Sequence, residues 1–250
     1  MLLRLLILTA LITTLLTSCK ESNDKKLNGG YSWWSGPFIT EMPNKNRSYL
    51  ITGVTKNKNL SEQWIAQVEI NNSGTITIEN KFSLNTYFRA DEHNSPAVLI
   101  TENNTILIAS TGHNEKNKIY IYAGINIHEL IERELLTPSL ATYVQLIEIE
   151  EHLILFSRLS KHGYSYSVSD DQGETWSDWQ ALFQSGYVKV QKDHSTNKLH
   201  FFIGSNPATP NHNINYINAY FDGRHIIPNE SINSFNLSVP FQTNREVGTD

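Results

Sequence analysis

Two histidines, His93 and His113, are the side chains of this sequence best placed for acid–base chemistry. His93 precedes the apolar run at 96–100, and His113 follows the next apolar run, at 106–109. If these runs are neighbouring antiparallel strands, the start of the first and the end of the second lie on the same side of the sheet. We therefore expect the two imidazoles to lie side by side.

Three further polar residues recur at corresponding places along the chain. Tyr143 and Tyr187 begin later apolar runs, and Arg158 ends the partner of the run that Tyr143 begins. Five side chains in one repeat register predict a ring of groups around a single opening. Each also has a structural explanation, since His93 could cap a turn and tyrosines are common in strands for packing reasons alone. Arg158 could likewise pair with the acidic residues 170–171.

The elements that must position these residues are short strands. Past the N-terminal segment, short alternating apolar segments are separated by Asn, Gly, Asp and Lys, which is typical of antiparallel strands. Ile106, Leu153 and Leu199 begin apolar segments spaced 47 and 46 residues apart, close to the length of one propeller blade. A fourth, weaker unit has strands at 49–51 and 64–70. The sequence predicts an all-β propeller with about four visible blades.

Several segments outside this register carry separate predictions. Residues 127–136 form at most a short helix or a loop between blades. Trp33 and Trp34 offer faces for stacking on sugar rings, with one of the pair expected in the core because adjacent residues of a strand face opposite ways. His200 alternates with apolar neighbours and is expected in the core or behind the site.

One turn has an obvious local function for each of its polar residues. It reads S-x-D-x-G-x-T-W and consists of Ser169, Asp171, Gly173, Thr175 and Trp176. Asp171 can accept hydrogen bonds from backbone N–H groups of the turn, and Gly173 supplies a conformation that other residues avoid. The pattern resembles the Asp box of the sialidase-type (BNR) repeat. That resemblance implies a structural turn on the outer rim of a propeller blade, away from the substrate.

A more specific resemblance concerns the candidate site. The segments DEHNSPAVLI, STGHN, TYVQL, LFSR and GYVKV…LHFF resemble the BNR-repeat family that includes the seven-bladed ulvan lyases, over roughly residues 85–225. Because sialidase-like relatives close with six or seven blades, the resemblance implies an incomplete propeller, and we expect a shortened chain. The site positions of those lyases correspond here to His93, His113, Tyr143, Arg158 and Tyr187.

The resemblance implies cleavage of a uronate-containing polymer by β-elimination. That reaction requires a neutralised carboxylate, a base for the C5 proton and an acid for the leaving oxygen. His93 and Tyr143 are the expected catalytic pair, with the order of acid and base open. Arg158 and His113 would neutralise the carboxylate, and Tyr187 would position the sugar. Positive charge from Arg158 is expected to lower the pKa of Tyr143.

Composition restricts the partners. A formal net charge of −5 without a basic stripe argues against nucleic acid. An acidic polysaccharide is compatible with this charge, since a binding site needs only local positive charge. The sequence contains no HExxH motif and no tight His and Asp cluster, so no cofactor and no catalytic metal are expected, and a structural metal ion is left open.

The first residues read as an export signal. A basic Arg4 is followed by an apolar run that ends in Leu-Thr-Ser and Cys19, the single cysteine of the chain. This ending resembles a bacterial lipobox. We therefore predict a lipoprotein signal peptide at 1–19 with Cys19 as the lipid anchor, a polar tether at 20–30 and a propeller domain at 31–250. Contact with the membrane would be through the lipid alone, at the outer membrane or cell surface.

Three functions fit these features. The first is a surface-anchored polysaccharide lyase of the ulvan-lyase type. The second is a non-catalytic glycan-binding propeller that uses the same cleft. The third is a sialidase or other glycoside hydrolase, suggested by the Asp box alone, which ranks last because the Arg-Ile-Pro start and a set of three site arginines are not recognisable in the sequence.

Overall fold

The computed structural model describes residues 34–43, 45–184, 187–193, 195–204, 214–229 and 241–246. The predicted signal peptide at 1–19, its Cys19, the tether at 20–30 and Trp33 lie outside these residues. Within the described ranges, no helix has the length and apolar character needed to cross a membrane.

The described residues form four antiparallel sheets, which we call blades 1 to 4 in chain order. Blade 1 contains β1 (Ile39–Glu41), β2 (Ser48–Asn57), β3 (Leu60–Ile70) and β4 (Ile76–Arg89). Blade 2 contains β5 (Ala97–Ile100), β6 (Ile106–Ser110), β7 (Lys118–Gly124) and β8 (Ile131–Leu136). Blade 3 contains β9 (Ala141–Ile149), β10 (His152–Leu159), β11 (Gly163–Ser169) and β12 (Gln180–Phe183). Blade 4 contains β13 (Tyr187–Lys192), β14 (Lys198–Gly204), β15 (Ile214–Phe221) and β16 (Ile226–Pro228). The strand β17 (Phe241–Glu246) pairs with β12, and a 3₁₀-helix, Glu92–Asn94, lies between β4 and β5.

The blades meet through their inner strands. Strand β5 contacts β1 and β2 of blade 1, while β9 contacts both β5 and β13. The segment before β1 also lies among these strands, because Gly36 pairs in parallel with Gln145 of β9 and the carbonyl of Pro37 accepts a 2.6 Å hydrogen bond from the Val98 N–H of β5. Consecutive four-stranded blades joined at their inner strands are the arrangement of a β-propeller.

The central strands are apolar on both faces because their blades are packed between two others. On β6, Leu107 belongs to the core shared with blade 3, whereas Ile108 belongs to the core shared with blade 1. On β10, Leu155 packs toward blade 2 and Phe156 toward blade 4. Successive side chains of a strand point to opposite faces, so a strand buried on both sides reads as a continuous apolar run.

The predicted all-β blades are confirmed, and the apolar segments of all four units are strands. The prediction for residues 127–136 is wrong, because Ile131–Leu136 forms β8, the outer strand of blade 2. This strand alternates exposed and half-buried residues along Glu132, Arg133 and Glu134, so it lacks the apolar run of a central strand. The sequence reading also assigned no strand to β17.

The S-x-D-x-G-x-T-W turn lies between β11 and β12. The carboxylate of Asp171 accepts hydrogen bonds from the Thr175 N–H at 2.8 Å, the Thr175 hydroxyl at 2.5 Å and the Ser169 hydroxyl at 2.9 Å. The Ser169 oxygen in turn accepts from the Gly173 N–H at 2.9 Å. Gly173 has a φ of +86°, and a Cβ there would lie 2.8 Å from Leu107. The turn therefore closes on itself and packs against blade 2.

Candidate active site

The structure brings all five predicted site residues together at one end of the inner strands. The ring centroids of His93 and His113 are 4.6 Å apart, and each is 5.7 Å from the ring of Tyr143. Tyr143 is 5.6 Å from Tyr187. The Arg158 guanidinium carbon lies 4.7 Å from the Tyr143 ring and 5.0 Å from the Tyr187 ring. The cluster combines two imidazoles, two phenols and one permanent cation.

A carboxylate that the sequence did not assign to the site, Asp91, joins the two histidines. It caps the 3₁₀-helix by accepting the His93 N–H at 2.8 Å. Its Oδ1 lies 2.5 Å from His93 Nδ1, and its Oδ2 lies 2.9 Å from His113 Nδ1. The predicted absence of a tight His and Asp cluster is therefore wrong. The cluster forms across two loops. In the sequence, only the short spacing between Asp91 and His93 could have indicated it.

The ionised carboxylate of Asp91 determines which nitrogen of each imidazole carries the proton. Burial would raise the pKa of this carboxyl, but hydrogen bonds from the His93 N–H and from the His113 and His93 rings outweigh burial and hold the pKa below its usual range. An ionised carboxylate accepts hydrogen bonds and donates none. Both Nδ1 atoms must then carry the protons, and each Nε2 of a neutral ring keeps a lone pair.

Tyr143 reaches the cluster through a β-bulge. Phe156 pairs with Gln145 and Arg158 with Thr142, so the register between β9 and β10 shifts at Tyr143. Tyr143 has a φ of +57°, a left-handed conformation that is unusual for a bulky residue, and the residue is only 3% exposed. Bulges re-aim side chains, and such local strain concentrates at functional sites.

The pKa of Tyr143 does not follow the sequence prediction. Burial raises this pKa well above the usual value for tyrosine, and the neighbouring Tyr187 raises it further. Arg158 acts in the opposite direction, as the sequence predicts, but it does not outweigh burial. Tyr143 therefore holds its proton at neutral pH, which suits a hydrogen-bond donor.

Neighbouring residues hold the bulge and the His113 loop in place. The Thr142 hydroxyl accepts a hydrogen bond from the Asn114 N–H at 2.8 Å and donates to the Asn114 side chain at 2.9 Å. The Ser157 hydroxyl donates to the Thr142 carbonyl at 3.0 Å. Since Asn114 follows His113 and Thr142 precedes Tyr143, these bonds fix the two side chains relative to each other across blades 2 and 3.

A buried glutamine connects blade 1 to both histidine loops. The Gln63 amide on β3 donates to the carbonyls of Asn94 and Thr111, the latter at 3.0 Å, and its oxygen accepts from the Ser110 hydroxyl. Gln63 is fully buried, so these partners supply the hydrogen bonds that water would otherwise provide. The 3₁₀-helix and the end of β6 are thereby held against blade 1.

A half-buried lysine, Lys189, lies on β13. The Lys189 ammonium donates a 2.6 Å hydrogen bond to the Ser35 carbonyl and lies 5.4 Å from the Phe38 ring. Burial lowers the pKa of Lys189 to about 8. The lysine therefore ties the segment before β1 to blade 4.

The alternative pairing of Arg158 with Asp170 and the expected core position of His200 do not match the structure. Arg158 does not use Asp170 as its partner, because that carboxylate bonds to His152 at 2.6 Å. His200 lies on β14, half-buried, with Nδ1 2.5 Å from the Tyr216 hydroxyl rather than among the site residues.

Asp91, His93 and His113 also form a group that could hold a metal ion. One ligand atom from each lies within 4.8 Å of the others. Both Nδ1 atoms are at direct hydrogen-bond distance from the carboxylate, so an ion between these atoms would have to displace those bonds. The observed contacts are those of a carboxylate that orients two imidazoles.

Comparison with known proteins assigns the chain to a family. The model of the BNR repeat-containing family matches residues 45–246. The chain belongs to this BNR-repeat family. No curated protein matches it by sequence.

Solved structures agree with a propeller for this BNR-repeat chain. An α-L-arabinofuranosidase from Podospora anserina aligns with a TM-score of 0.53 at 10% identity, covering 83% of this chain and 70% of that one. The catalytic domain of an α-L-arabinofuranosidase from Coprinopsis cinerea gives 0.52 at 9% identity, covering 91% and 71%. At these identities the likeness concerns the fold alone.

An ulvan lyase is also among the similar structures. It aligns at 17% identity with a TM-score of 0.47, covering 79% of this chain and 48% of that one. A second ulvan lyase structure, bound to an oligosaccharide of glucuronate and sulfated rhamnose, gives the same score at 16% identity. The BNR-repeat chain therefore spans about half the length of these lyases.

Replacing Asp91 tests its control of the imidazoles. In Asp91→Asn, the amide NH₂ donates rather than accepts, so one of the two rings must lose its Nδ1–H partner and change tautomer. Nitrogen NMR of the imidazoles in the wild type should find both rings protonated at Nδ1 near neutral pH, and the variant should not. The matched control Asp170→Asn should alter His152 and leave His93 and His113 unchanged. Identical spectra for wild type and Asp91→Asn would contradict this role.

Lys189 predicts a specific dependence of stability on pH. Its pKa is lower in the folded chain, about 8, than the value of about 10.4 in an unfolded chain. Burial of the charged amine therefore costs stability below the folded pKa, and this cost is relieved as pH rises toward the unfolded pKa. The free energy of unfolding of wild type should rise relative to that of Lys189→Met by up to about 3 kcal/mol between about pH 7 and pH 10.

Urea unfolding of wild type and Lys189→Met at both pH values measures this difference. Contributions from other titrating groups are the same in both proteins and are removed by the comparison. Parallel pH dependences of the two proteins would show that the amine is not buried in a charged state.

Proposed function

We propose that this protein is a polysaccharide lyase that cleaves a uronate-containing, ulvan-like polymer by β-elimination. The observation that carries the proposal is the Arg158 guanidinium over the rings of Tyr143 and Tyr187, with Tyr143 in turn 5.7 Å from each of the paired imidazoles. A permanent cation, a proton-bearing phenol and an imidazole with a free lone pair are the three groups that the reaction needs.

The reaction places each group in a defined role. The base removes the C5 proton of the uronate, the electron pair forms the C4–C5 double bond, and the C4–O bond to the leaving sugar breaks. The leaving oxygen then takes a proton from the acid. Negative charge builds on the carboxylate during proton removal, so a fixed cation lowers the barrier. Arg158 supplies that cation, and His113 would add a hydrogen bond to the carboxylate from Nε2 as an imidazolium, with its Nδ1–H still on Asp91.

The structure supports one order for the catalytic pair. Burial raises the pKa of Tyr143, so the phenol keeps its proton at rest, which argues against Tyr143 as the base and leaves it to donate to the leaving oxygen. The lone pair on His93 Nε2, left free because Nδ1 faces Asp91, favours His93 as the base. Tyr187 borders Arg158 and Tyr143 and would position the sugar.

Arg158 provides the test of this function. Folded wild type incubated with ulvan and related polyuronates should generate ultraviolet absorbance from the unsaturated product. Arg158→Ala should lower kcat/KM by about 100- to 1000-fold, because it removes the group that stabilises the developing charge. Arg133→Ala is the matched control and should retain activity, because it removes a half-buried arginine of the outer strand β8 that pairs with Glu174. Equal activity of Arg158→Ala and wild type would refute the proposal.

A second candidate is a glycan-binding propeller without catalysis. It is favoured by the burial of Tyr143, which is 3% exposed, since an aromatic ring and a cation can bind an anionic sugar without proton transfer. Binding of the polymer by folded wild type with no unsaturated product would select this function over the lyase.

We also propose that the protein is an exported lipoprotein anchored through Cys19 at the outer membrane or cell surface. The proposal is supported by the basic start, the apolar run and the Leu-Thr-Ser sequence before that cysteine. In a bacterial host, a fatty-acid label should be incorporated into wild type and not into Cys19→Ala. Equal labelling of both proteins would contradict the anchor.

A further inference from the structure

We propose that Trp34 and Tyr187 form a second sugar subsite, which binds a residue of the acidic polysaccharide next to the one held at His93 and Tyr143. This inference rests on the proposed function for the identity of the polymer. It assigns a binding role to the segment before β1, which the catalytic cluster does not use.

The rings of the site continue as a line beyond the catalytic pair. Tyr187 lies 5.6 Å from Tyr143, and Trp34 lies 5.2 Å beyond Tyr187, with the rings tilted by 50° at both steps. Trp34 and Tyr187 are half-buried, so part of each ring remains accessible to a ligand. An aromatic ring presents an apolar surface to the C–H face of a sugar while polar groups around it meet the hydroxyls. The line of rings extends from blade 2 to blade 4.

The backbone next to Trp34 is firmly held. The Gly36 N–H donates to the Val144 carbonyl and the Gly36 carbonyl accepts from the Leu146 N–H, both at 3.0 Å. Ser35 is fully buried and its carbonyl accepts the hydrogen bond from Lys189. Gly36 has a φ of +125°, a conformation that favours glycine and lets the chain turn into this position. A ring on a fixed backbone loses little conformational freedom when a ligand binds.

The wall behind Trp34 is shaped for its ring. A Cβ added to Gly204, at the end of β14, would lie 3.3 Å from the Trp34 ring, so the missing side chain leaves space for the indole. Gly204 pairs with Tyr187 across β13 and β14. The indole and the phenol are therefore set side by side on the same end of blade 4.

The charges along this line favour an anionic ligand. Arg158 lies over Tyr187, and Lys189 lies behind the Trp34 segment. Asp91 lies beyond Tyr143 at the histidine end, where both of its oxygens are engaged by imidazoles. A polymer that carries a carboxylate or sulfate on successive sugars would meet the Arg158 cation beside Tyr187.

Binding is measured in a Tyr143→Phe background, which keeps the ring line and removes the hydroxyl assigned to the acid. The probes are oligosaccharides of glucuronate and sulfated rhamnose of increasing length, titrated by calorimetry. Addition of Trp34→Ala should weaken binding about tenfold for the ligands long enough to reach the second subsite, and the loss should be smaller for the shortest ones. Addition of Trp34→Phe should keep most of the affinity.

Tyr220→Ala is the matched control, since it removes an exposed aromatic ring of blade 4 outside this line. Tryptophan fluorescence of the Tyr143→Phe parent should change on sugar binding, and that change should be reduced in Trp34→Phe. Unchanged affinity in Trp34→Ala for every length, equal loss in the Tyr220→Ala control, or no binding by the parent would overturn the subsite.

The two proposals fail separately. If binding depends on Trp34 but wild type forms no unsaturated product, the lyase proposal is refuted and the subsite proposal stands. If wild type and Trp34→Ala form product with the same KM and the oligosaccharide affinity is unchanged, the lyase proposal stands and the subsite proposal is refuted.

Discussion

The packing of blades face to face is the constraint on which this structure depends. A blade between two neighbours must present apolar side chains on both faces, as β6 does with Leu107 and Ile108. Burial of each such side chain contributes about 1.5 to 3 kcal/mol, so these contacts dominate the stability of the arrangement. The faces therefore belong to the core, and polar chemistry is confined to the strand ends and the axis.

The site is built where this packing ends. Buried polar groups there are satisfied across blades: Gln63 connects blade 1 to the histidine loops, and Gln145 donates to the Tyr164 hydroxyl and the Val188 carbonyl. The bulge at Tyr143 breaks the regular pairing of β9 with β10 and places one phenol beside the two imidazoles. Because three blades contribute to one cluster, the relative position of the blades sets the geometry of the proposed chemistry.

Sequence reasoning succeeded where one physical signal decided the outcome. Strands buried on both faces gave continuous apolar runs, and their repeat located the ends at which His93 and Tyr187 lie. It failed for the edge strand β8, because an exposed strand needs no apolar run. It did not assign Asp91 to the site, because the bond to His113 depends on two loops meeting in space. It misjudged the pKa of Tyr143, because the depth of burial is not readable from a strand start.

The central claim is that the His93, Tyr143 and Arg158 cluster cleaves its polymer by elimination rather than by hydrolysis. Mass spectrometry of the products measures this difference directly, because hydrolysis adds one water for each bond cleaved and elimination adds none. Elimination predicts shortened chains with an unsaturated terminal uronate, each lighter by one water than the corresponding hydrolysis product. Saturated products with one added water per cleavage, or a polymer left intact by the folded protein, would contradict the account.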